Sequence, residues 1–227
     1  MESDTSPLIS CIMPTYNRRR FVPFAIELFL AQDYPNKELV IIDDGSDPVM
    51  SLIPELYNIH YIYIGKKRSI GTKRNIACET AKGAIIAHWD DDDWYDHRRL
   101  SMQVSAMSRK PVVELVGVAN PYYIDLKTKR AFHYQQPKRG RWVTYLMYKK
   151  SLWNRIKFPN VTVGEDVRFL SSVERSRIQV MKNEEIGVCT IHRENSSPKF
   201  LGSRLWKRVP IRKIEQILNS KWPSIWN

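Results

Sequence analysis

Cysteine is scarce in this sequence, and long apolar runs are absent from it. The 227 residues contain three cysteines, Cys11, Cys78 and Cys189, and none belongs to a Cys-x-x-Cys pair. This spacing disfavours a disulfide framework or a structural zinc site and indicates a reducing compartment. No apolar run approaches the roughly 20 residues that a membrane-spanning helix needs, and the acidic, polar N-terminus lacks the pattern of a signal peptide. We expect a cytoplasmic protein that is soluble or peripheral on a membrane surface.

Negative charge is scarce only in the second half of the chain. The whole sequence has 36 Lys and Arg against 24 Asp and Glu, a formal charge of +12. Residues 1–110 have a net charge of −1, and residues 111–227 have a net charge of +13. A basic balance favours an anionic partner such as nucleic acid, a phosphorylated metabolite or a membrane. That preference therefore belongs to the second half alone.

The first hundred residues alternate strand and helix patterns. Strands are predicted at 8–13, 38–42, 59–64 and 84–89, and helices at 21–32, 71–81 and 97–108. This alternation predicts an α/β fold with a mostly parallel sheet and helices on both faces. Ligands bind such sheets beyond the carboxyl ends of the strands. Three polar clusters are predicted there, at residues 14–17, 43–46 and 90–93.

The second half is less regular. Short strands are predicted at 112–118, 122–126, 131–134, 178–181 and 186–190, with a helix at 165–173. In the last segment, Pro210 is a candidate helix start. Ile211, Ile214 and Leu218 would then share one face of that helix.

The run from Asp90 to Asp93 is the most informative cluster. Adjacent carboxylates repel one another, so a protein tolerates them together chiefly where a cation binds. Oxygen ligands suit Mg²⁺ or Mn²⁺, and these ions usually bridge to substrate phosphates. A solvated acidic loop is the alternative, which the flanking Trp89 and Trp94 make less favourable.

The other clusters each allow a structural and a functional interpretation. The run 43–46 is either a turn or an acceptor of hydrogen bonds from a nucleobase or ribose. In the run 14–17, Asn17 is a candidate helix cap, and Tyr16 could instead stack on a base. The run 71–75 opens a helix, and its Lys and Arg would either bind diphosphate or form a solvated basic face.

Two features further along the chain also allow both a structural and a functional interpretation. Glu165 and Asp166 begin a helix, where acidic residues are favoured by the helix dipole, or they supply a general base. His192 is either structural or closes over a metal–phosphate site, with Arg193 beside it.

Four motifs in this order closely resemble the family 2 inverting glycosyltransferases of GT-A fold. They are Cys11-Ile12-Met13-Pro14-Thr15-Tyr16-Asn17-Arg18, Val40-Ile41-Ile42-Asp43-Asp44-Gly45-Ser46, Trp89-Asp90-Asp91-Asp92-Asp93-Trp94 and Gly164-Glu165-Asp166. The resemblance runs from about Ile9 to Ser197. It implies a Rossmann-like, mostly parallel central sheet with helices on both faces and a smaller acceptor-side sheet.

The resemblance also implies roles on the donor side. The nucleobase, usually uracil, would be held by Pro14, Thr15, Tyr16 and Asp44. Arg74 would contact the base or the diphosphate, and Asp90 and Asp91 would face the ribose and the sugar. Asp92 would ligate Mn²⁺ or Mg²⁺, and His192 would approach the metal or the diphosphate. The Asp run permits more than one register, so the ligand within it is open.

On the acceptor side, the resemblance makes Asp166 the catalytic base and places Glu165 near the acceptor or donor sugar. The implied reaction is an inverting transfer of a hexose from a nucleoside diphosphate sugar, with UDP expected, to a glycan or lipid-linked acceptor in polysaccharide biosynthesis. Processive members carry Gln-x-x-Arg-Trp after the base. Here Gln136-Pro137-Lys138-Arg139 precedes Asp166 and is followed by Gly140, which favours a non-processive enzyme.

Two other functions, nucleotidyl transfer and nucleic-acid binding, are less consistent with the sequence. A nucleotidyltransferase acting on a sugar phosphate is disfavoured by the lack of a Gly-rich triphosphate loop near the N-terminus. A basic nucleic-acid-binding protein is disfavoured because the second half has no recognisable reading motif. An acidic patch at the ligand edge of the sheet would also repel a phosphate backbone. We therefore expect no nucleic-acid partner.

We divide the chain into a donor half, 1–110, an acceptor and base half, 111–198, and a basic amphipathic C-terminal segment, 199–227. Residues 199–221 contain seven basic residues and one acidic residue. Such a segment would dock on an anionic membrane or a lipid-linked acceptor. The equally weighted alternative is packing on the catalytic domain or on a second subunit of a homo-oligomer.

Overall fold

The computed structural model describes residues 6–137, 142–182, 184–219, 223 and 226. Its strands are β1 (Ile9–Thr15), β2 (Lys37–Asp43), β3 (Ile59–Tyr63), β4 (Ile85–His88), β5 (Trp94–Tyr95), β6 (Leu115–Val118), β7 (Tyr122–Asp125), β8 (Arg130–Tyr134), β9 (Thr144–Lys149), β10 (Ile178–Met181), β11 (Gly187–Ile191) and β12 (Trp206–Val209). Its α-helices are α1 (Val22–Leu30), α2 (Ile70–Thr80), α3 (Arg99–Ser108), α4 (Lys150–Arg155), α5 (Glu165–Ser171) and α6 (Ile211–Ile217).

Seven strands form the central sheet, in the order β10-β6-β9-β4-β1-β2-β3. The neighbours β4, β1, β2 and β3 all run parallel, and β9 is antiparallel to both β4 and β6. The carboxyl ends of the four parallel strands therefore lie along one edge. This arrangement confirms the α/β fold with a mostly parallel sheet.

Alternating residues explain why helices cover both faces of this sheet. On β1 and β2, Met13 and Ile41 pack in one core cluster with α1, whereas Ile12 and Val40 pack in another with α2. Successive side chains of a strand point to opposite faces. A strand that is buried on both faces therefore has the continuous apolar pattern seen in both segments.

A second sheet of five strands has the order β12-β8-β7-β11-β5. Strands β7 and β8 form an antiparallel pair. The short strand β5 begins directly after the Asp run and pairs with β11, so that Trp94 lies opposite Val188. The Asp run therefore connects the two sheets, and β11 leads directly into His192.

The structure differs from the predicted elements in three places. Strand β1 does not end at residue 13 but continues to Thr15, with Pro14 opposite Ile42. Residues two apart on a strand direct their backbone groups to the same neighbour, so an N–H at position 14 would point toward β4, as at Ile12. Pairing with β4 ends at Ile12, so the N–H that proline lacks would have had no partner in the sheet. Strand β9 and helix α4 were not predicted. Residues 206–209 form a strand, and the predicted helix start at Pro210 is confirmed.

The apolar face of α6 packs on the second sheet. Ile214, Ile217 and Leu218 form a buried cluster with Ile124 and Val188. This contact accords with the packing alternative for the C-terminal segment, whose Lys221 and Trp222 lie outside the described residues. The division into three parts stays a prediction, as do a membrane contact and a second subunit. Within the ranges given above, no helix combines the length and the apolarity that a bilayer crossing requires.

The start of α2 is packed tightly against the segment that leads to α5. A Cβ on Gly71 would lie 1.9 Å from the carbonyl oxygen of Pro159. We predict that Gly71→Ala lowers the free energy of unfolding by about 2 kcal/mol, because overpacking outweighs the gain in helix propensity. Urea unfolding measures the change.

Gly202 provides the matched control, because the nearest atom to an added Cβ there is 3.8 Å away. Gly202→Ala should change the free energy of unfolding by less than about 0.5 kcal/mol. Equal effects of the two substitutions would contradict the predicted clash.

Candidate active site

The carboxyl ends of β1, β2 and β4 and the start of α5 open onto one cleft of about 900 Å³. The cleft brings together most of the residues that the sequence singled out. Those that line it are Pro14, Thr15, Tyr16, Asp44, Arg74, Asp90, Asp91, Asp92, Glu165 and Asp166. His192 joins the group through Asp92. The placement agrees with the predicted grouping, and the role of each residue stays a prediction.

The two aspartates that end β2 have different tasks. Asp43 accepts hydrogen bonds from the backbone N–H groups of Gly45 and Val49, at 2.8 and 2.9 Å, and from the Tyr61 hydroxyl at 2.8 Å. Asp43 therefore builds the turn. Asp44 lines the cleft instead.

Asn17 is not the helix cap that the sequence suggested. The N-cap of α1 is Phe21, with no side-chain cap bond. Asn17 has φ 53°, a left-handed conformation that asparagine tolerates. Its Oδ1 accepts a hydrogen bond from the Asp47 N–H at 3.2 Å, which ties the loop after β1 to the loop after β2.

Lys73 is a buried cation that the sequence analysis did not assign. Its Nζ donates to Asp44 Oδ1 at 2.7 Å and to the Thr15 carbonyl at 2.9 Å. The start of α2 is therefore not a solvated basic face. The adjacent Lys and Arg in this segment were the signal, but only the fold shows that Lys73 binds a carboxylate. Beside it, Lys67 Nζ lies 4.2 Å from the centre of the Tyr16 ring.

Arg74 connects the Asp run to α5. Its NH2 donates to Asp90 Oδ1 at 3.2 Å and its Nε donates to Glu165 Oε1 at 3.3 Å. Arg74 NH1 is buried and has no hydrogen-bond partner within the described part of the chain. Burial raises the pKa of Glu165, and the charge of Arg74 opposes that rise.

Asp92 lies at the centre of a second charged group. Its Oδ2 is 2.9 Å from His192 Nε2 and 3.0 Å from Arg18 NH1, and Arg18 NH1 is also 3.0 Å from His192 Nε2. Burial alone would raise the pKa of Asp92, but the hydrogen bond from His192 and the charge of Arg18 lower it. Arg18 belongs to the first of the four motifs, and no local pattern predicts its separate role. Its partners are 74 and 174 positions away.

The four carboxylates of the Asp run have four different surroundings. The Asp90 side chain is 39% exposed. Asp91 accepts a hydrogen bond from the Thr15 hydroxyl at 2.7 Å. Burial and the Asp92 charge raise the pKa of Asp91 to about 7. Asp93 accepts the Thr190 N–H at 2.9 Å, and burial raises its pKa well above the usual range. Asp93 also lines the cleft, and its bond to Thr190 fixes the position of β11.

The sequence predicts a divalent ion at Asp92 and His192, whose Oδ2 and Nε2 atoms lie 2.9 Å apart. Across residues 6–137, 142–182 and 184–219, no three His, Cys, Asp or Glu side chains converge as a complete metal site. Mg²⁺ and Mn²⁺ commonly take one or two protein ligands, with water and phosphate oxygens completing the shell. Arg18 NH1 contacts both groups and already offsets the charge of Asp92. An ion that binds here together with a phosphorylated ligand would take the place of that guanidinium.

Asp166 lies in the first turn of α5 and lines the cleft, where it is half-buried. Its Oδ1 accepts the Val167 N–H at 2.7 Å. Gly164, with φ 77°, turns the chain into the helix in a conformation that favours glycine. Asp166 thus lies at the start of α5, next to Glu165, whose carboxylate accepts a hydrogen bond from Arg74.

Comparison with known proteins gives a family match over most of the chain. The family model described as glycosyl transferase family 2 matches residues 10–174. An uncharacterized glycosyltransferase of Haemophilus influenzae is 26% identical over 195 residues, which are 79% of this chain and 77% of that protein. The Escherichia coli enzyme UDP-Glc:alpha-D-GlcNAc-diphosphoundecaprenol beta-1,3-glucosyltransferase WfgD is 32% identical over 113 residues, 48% of this chain and 45% of the enzyme.

A solved structure supports the fold. The mannosyltransferase PcManGT from Pyrobaculum calidifontis, in complex with GDP-Man and Mn²⁺, superposes with a TM-score of 0.65 at 18% identity. The superposition covers 87% of this chain and 59% of that one. The chain thus spans less than two thirds of PcManGT and less than half of WfgD. The shared architecture is the GT-A fold.

The Lys73–Asp44 pair should be important for stability. The two side chains are only 5% and 0% exposed, so removing the Lys73 charge leaves the Asp44 carboxylate buried with the Arg68 N–H but without a cation. We predict that Lys73→Met lowers the free energy of unfolding by about 3–5 kcal/mol. Adding Asp44→Asn should restore part of the loss, and urea unfolding measures both variants.

Arg19 and Asp47 form the matched surface pair, 3.5 Å apart with side chains 43% and 63% exposed. Arg19→Met should cost less than about 1 kcal/mol. If Lys73→Met were equally mild, the buried pair would not stabilise the loop.

Proposed function

Because the chain belongs to glycosyl transferase family 2, we propose that it transfers a sugar from a UDP-sugar to a hydroxyl group of a glycan or lipid-linked acceptor. One observation carries the proposal. Arg74 binds Asp90 and Glu165 at once, so that the donor side and the base side form a single cleft. The family membership disfavours a nucleotidyltransferase and a nucleic-acid-binding protein.

On the donor side, we assign the nucleobase to the pocket of Pro14, Thr15, Tyr16 and Asp44. Tyr16 presents a half-exposed ring for stacking, and Asp44 is held in place by Lys73. The choice of UDP is supported by WfgD, whose donor is UDP-Glc, whereas PcManGT was solved with GDP-Man. Asp90 and Asp91 then face the ribose and the sugar.

For the diphosphate, we assign an ion, Mn²⁺ or Mg²⁺, to Asp92 and His192. When bound, such an ion neutralises the negative charge that develops on the leaving diphosphate. Arg18 supplies a positive charge beside the same carboxylate. The Mn²⁺ in the PcManGT complex supports a divalent cofactor in this fold.

For the transfer itself, we assign Asp166 as the general base. It would take the proton of the acceptor hydroxyl as that oxygen attacks C1 from the face opposite the diphosphate, so the anomeric configuration inverts. Glu165 is bonded to Arg74 and orients the sugar beside it. The reaction is non-processive, and both a cytoplasmic location and a peripheral membrane contact through residues 199–221 belong to the proposal.

If Asp166 is the general base, its substitution should lower turnover without weakening the binding of UDP. Asp166→Asn should lower UDP release from a UDP-sugar in the presence of acceptor by at least about 100-fold, because the amide cannot take a proton. The shift in melting temperature that UDP causes should be unchanged. Glu79→Gln, an exposed change on α2, serves as the control, and full transferase activity of Asp166→Asn would refute the assignment.

The ion assignment predicts that Mn²⁺ strengthens UDP binding through Asp92. Ligand at 100 times its Kd stabilises a protein by about 2.7 kcal/mol, so thermal shift resolves the effect. In Asp92→Asn, the additional Mn²⁺-dependent shift should disappear, while the control Asp33→Asn retains it. A Mn²⁺-dependent shift that survives in Asp92→Asn would show that the ion binds elsewhere.

A further inference from the structure

Four aromatic side chains form a wall in the cleft that the assignments above do not use. The aromatic wall consists of Tyr123, Tyr134, Trp142 and Trp206. Their ring centres are 4.7 Å apart for Tyr123 and Trp206, 5.1 Å for Tyr134 and Trp206, and 5.4 Å for Tyr134 and Trp142. Tyr123 is buried, and the other three are half-buried. All three contacts are edge-to-face, with interplanar angles of 63°, 65° and 76°, so the four rings form one contiguous cluster beside the ligand space.

The sheet order places this wall on the far side of the Asp run from the nucleobase pocket. Along the central sheet, β2 and β1 carry Asp44 and Tyr16, β4 carries the Asp run, and β9 follows next. Trp142 stands just before β9 and therefore lies at the same edge, beyond β4. The remaining rings come from β7, β8 and β12 of the second sheet.

The wall also adjoins the helix of the proposed base. Trp142 packs against the core cluster that contains Phe169 and Leu170 of α5. Helix α5 begins with Glu165 and Asp166, so the wall and the base flank the same part of the cleft. Thr144 and Lys199 line the cleft as well and supply polar groups for hydroxyls.

We propose that the aromatic wall binds the terminal pyranose ring of the acceptor. The C–H groups of a pyranose carry partial positive charge and pack on the negative face of an aromatic ring, while nearby polar groups fix its hydroxyls. This inference rests on the proposed function and deepens it. Trp206 lies outside residues 10–174, which the family model matches.

Saturation-transfer NMR tests the inference with free sugars as probes. The probes are the methyl glycosides of glucose, N-acetylglucosamine, galactose and mannose, each added to the protein with UDP and Mn²⁺. We expect saturation of at least one pyranoside, strongest on the C–H groups of one ring face. Trp206→Leu and Trp142→Leu keep apolar bulk but remove the ring, and each should reduce that signal at least about threefold.

Tyr57→Ala is the control, because this ring is 94% exposed and lies outside the cleft. It should leave the signal unchanged, and every variant should keep the UDP-dependent thermal shift that reports a folded donor site. Two results would overturn the inference: no saturation of any pyranoside by the wild-type protein, or equal saturation in both leucine variants. The inference would also be overturned if those variants bound UDP-glucose, but not UDP, more weakly than the wild-type protein does. The wall would then hold the donor sugar.

The same measurements separate this inference from the proposed function. If UDP with Mn²⁺ does not stabilise the wild-type protein, the donor assignment fails. If UDP stabilises all variants but the pyranoside signal does not depend on the two tryptophans, only the acceptor assignment fails.

Discussion

Repulsion among the four carboxylates between β4 and β5 is the constraint on which the cleft depends. Adjacent negative charges that are mostly buried must be offset by cations or by protonation. The fold meets this demand with Arg18 from the loop after β1, Arg74 from α2 and His192 from the end of β11. Those contacts tie the two sheets and α2 to one short segment. The same charges that organise the fold therefore shape the ligand space.

The near-neutral first half of the sequence acquires a physical meaning from this arrangement. Arg18, Lys73 and Arg74 are buried and bonded to carboxylates, so they are not available as a basic surface. Among the described residues of the second half, Arg155, Arg177 and Lys213 form ion pairs with side chains that stay 51%, 41% and 32% exposed. Lys199, at the edge of the cleft, belongs to that half. Under the proposed function, we expect an anionic acceptor or a membrane surface to be the counterpart of this charge.

Rigid placement of the proposed base follows from packing near α2. The segment that leads to α5 contacts the start of α2 at Gly71, and Arg74 one turn later bonds to Glu165. Helix α2 thus contacts Asp44, which we assign to the nucleobase, through Lys73. It contacts Glu165, at the start of α5, through Arg74. A single element positions both ends of the proposed reaction. The distance between donor and base then depends on one helix and not on two independent loops.

The sequence by itself determined the alternation of strands and helices, and with it the parallel sheet and the edge at which polar clusters meet. It did so because burial on both faces produces continuous apolar strands, and because parallel strands align their carboxyl ends. Tertiary structure alone decided that Asp93 fixes β11 while Asp92 contacts His192, that Arg18 and Lys73 are buried partners, and that Trp206 lies on a strand lining the cleft. Each of these facts joins residues from distant parts of the chain. Local patterns of hydrophobicity encode periodicity, and only the packed chain sets which side chains meet.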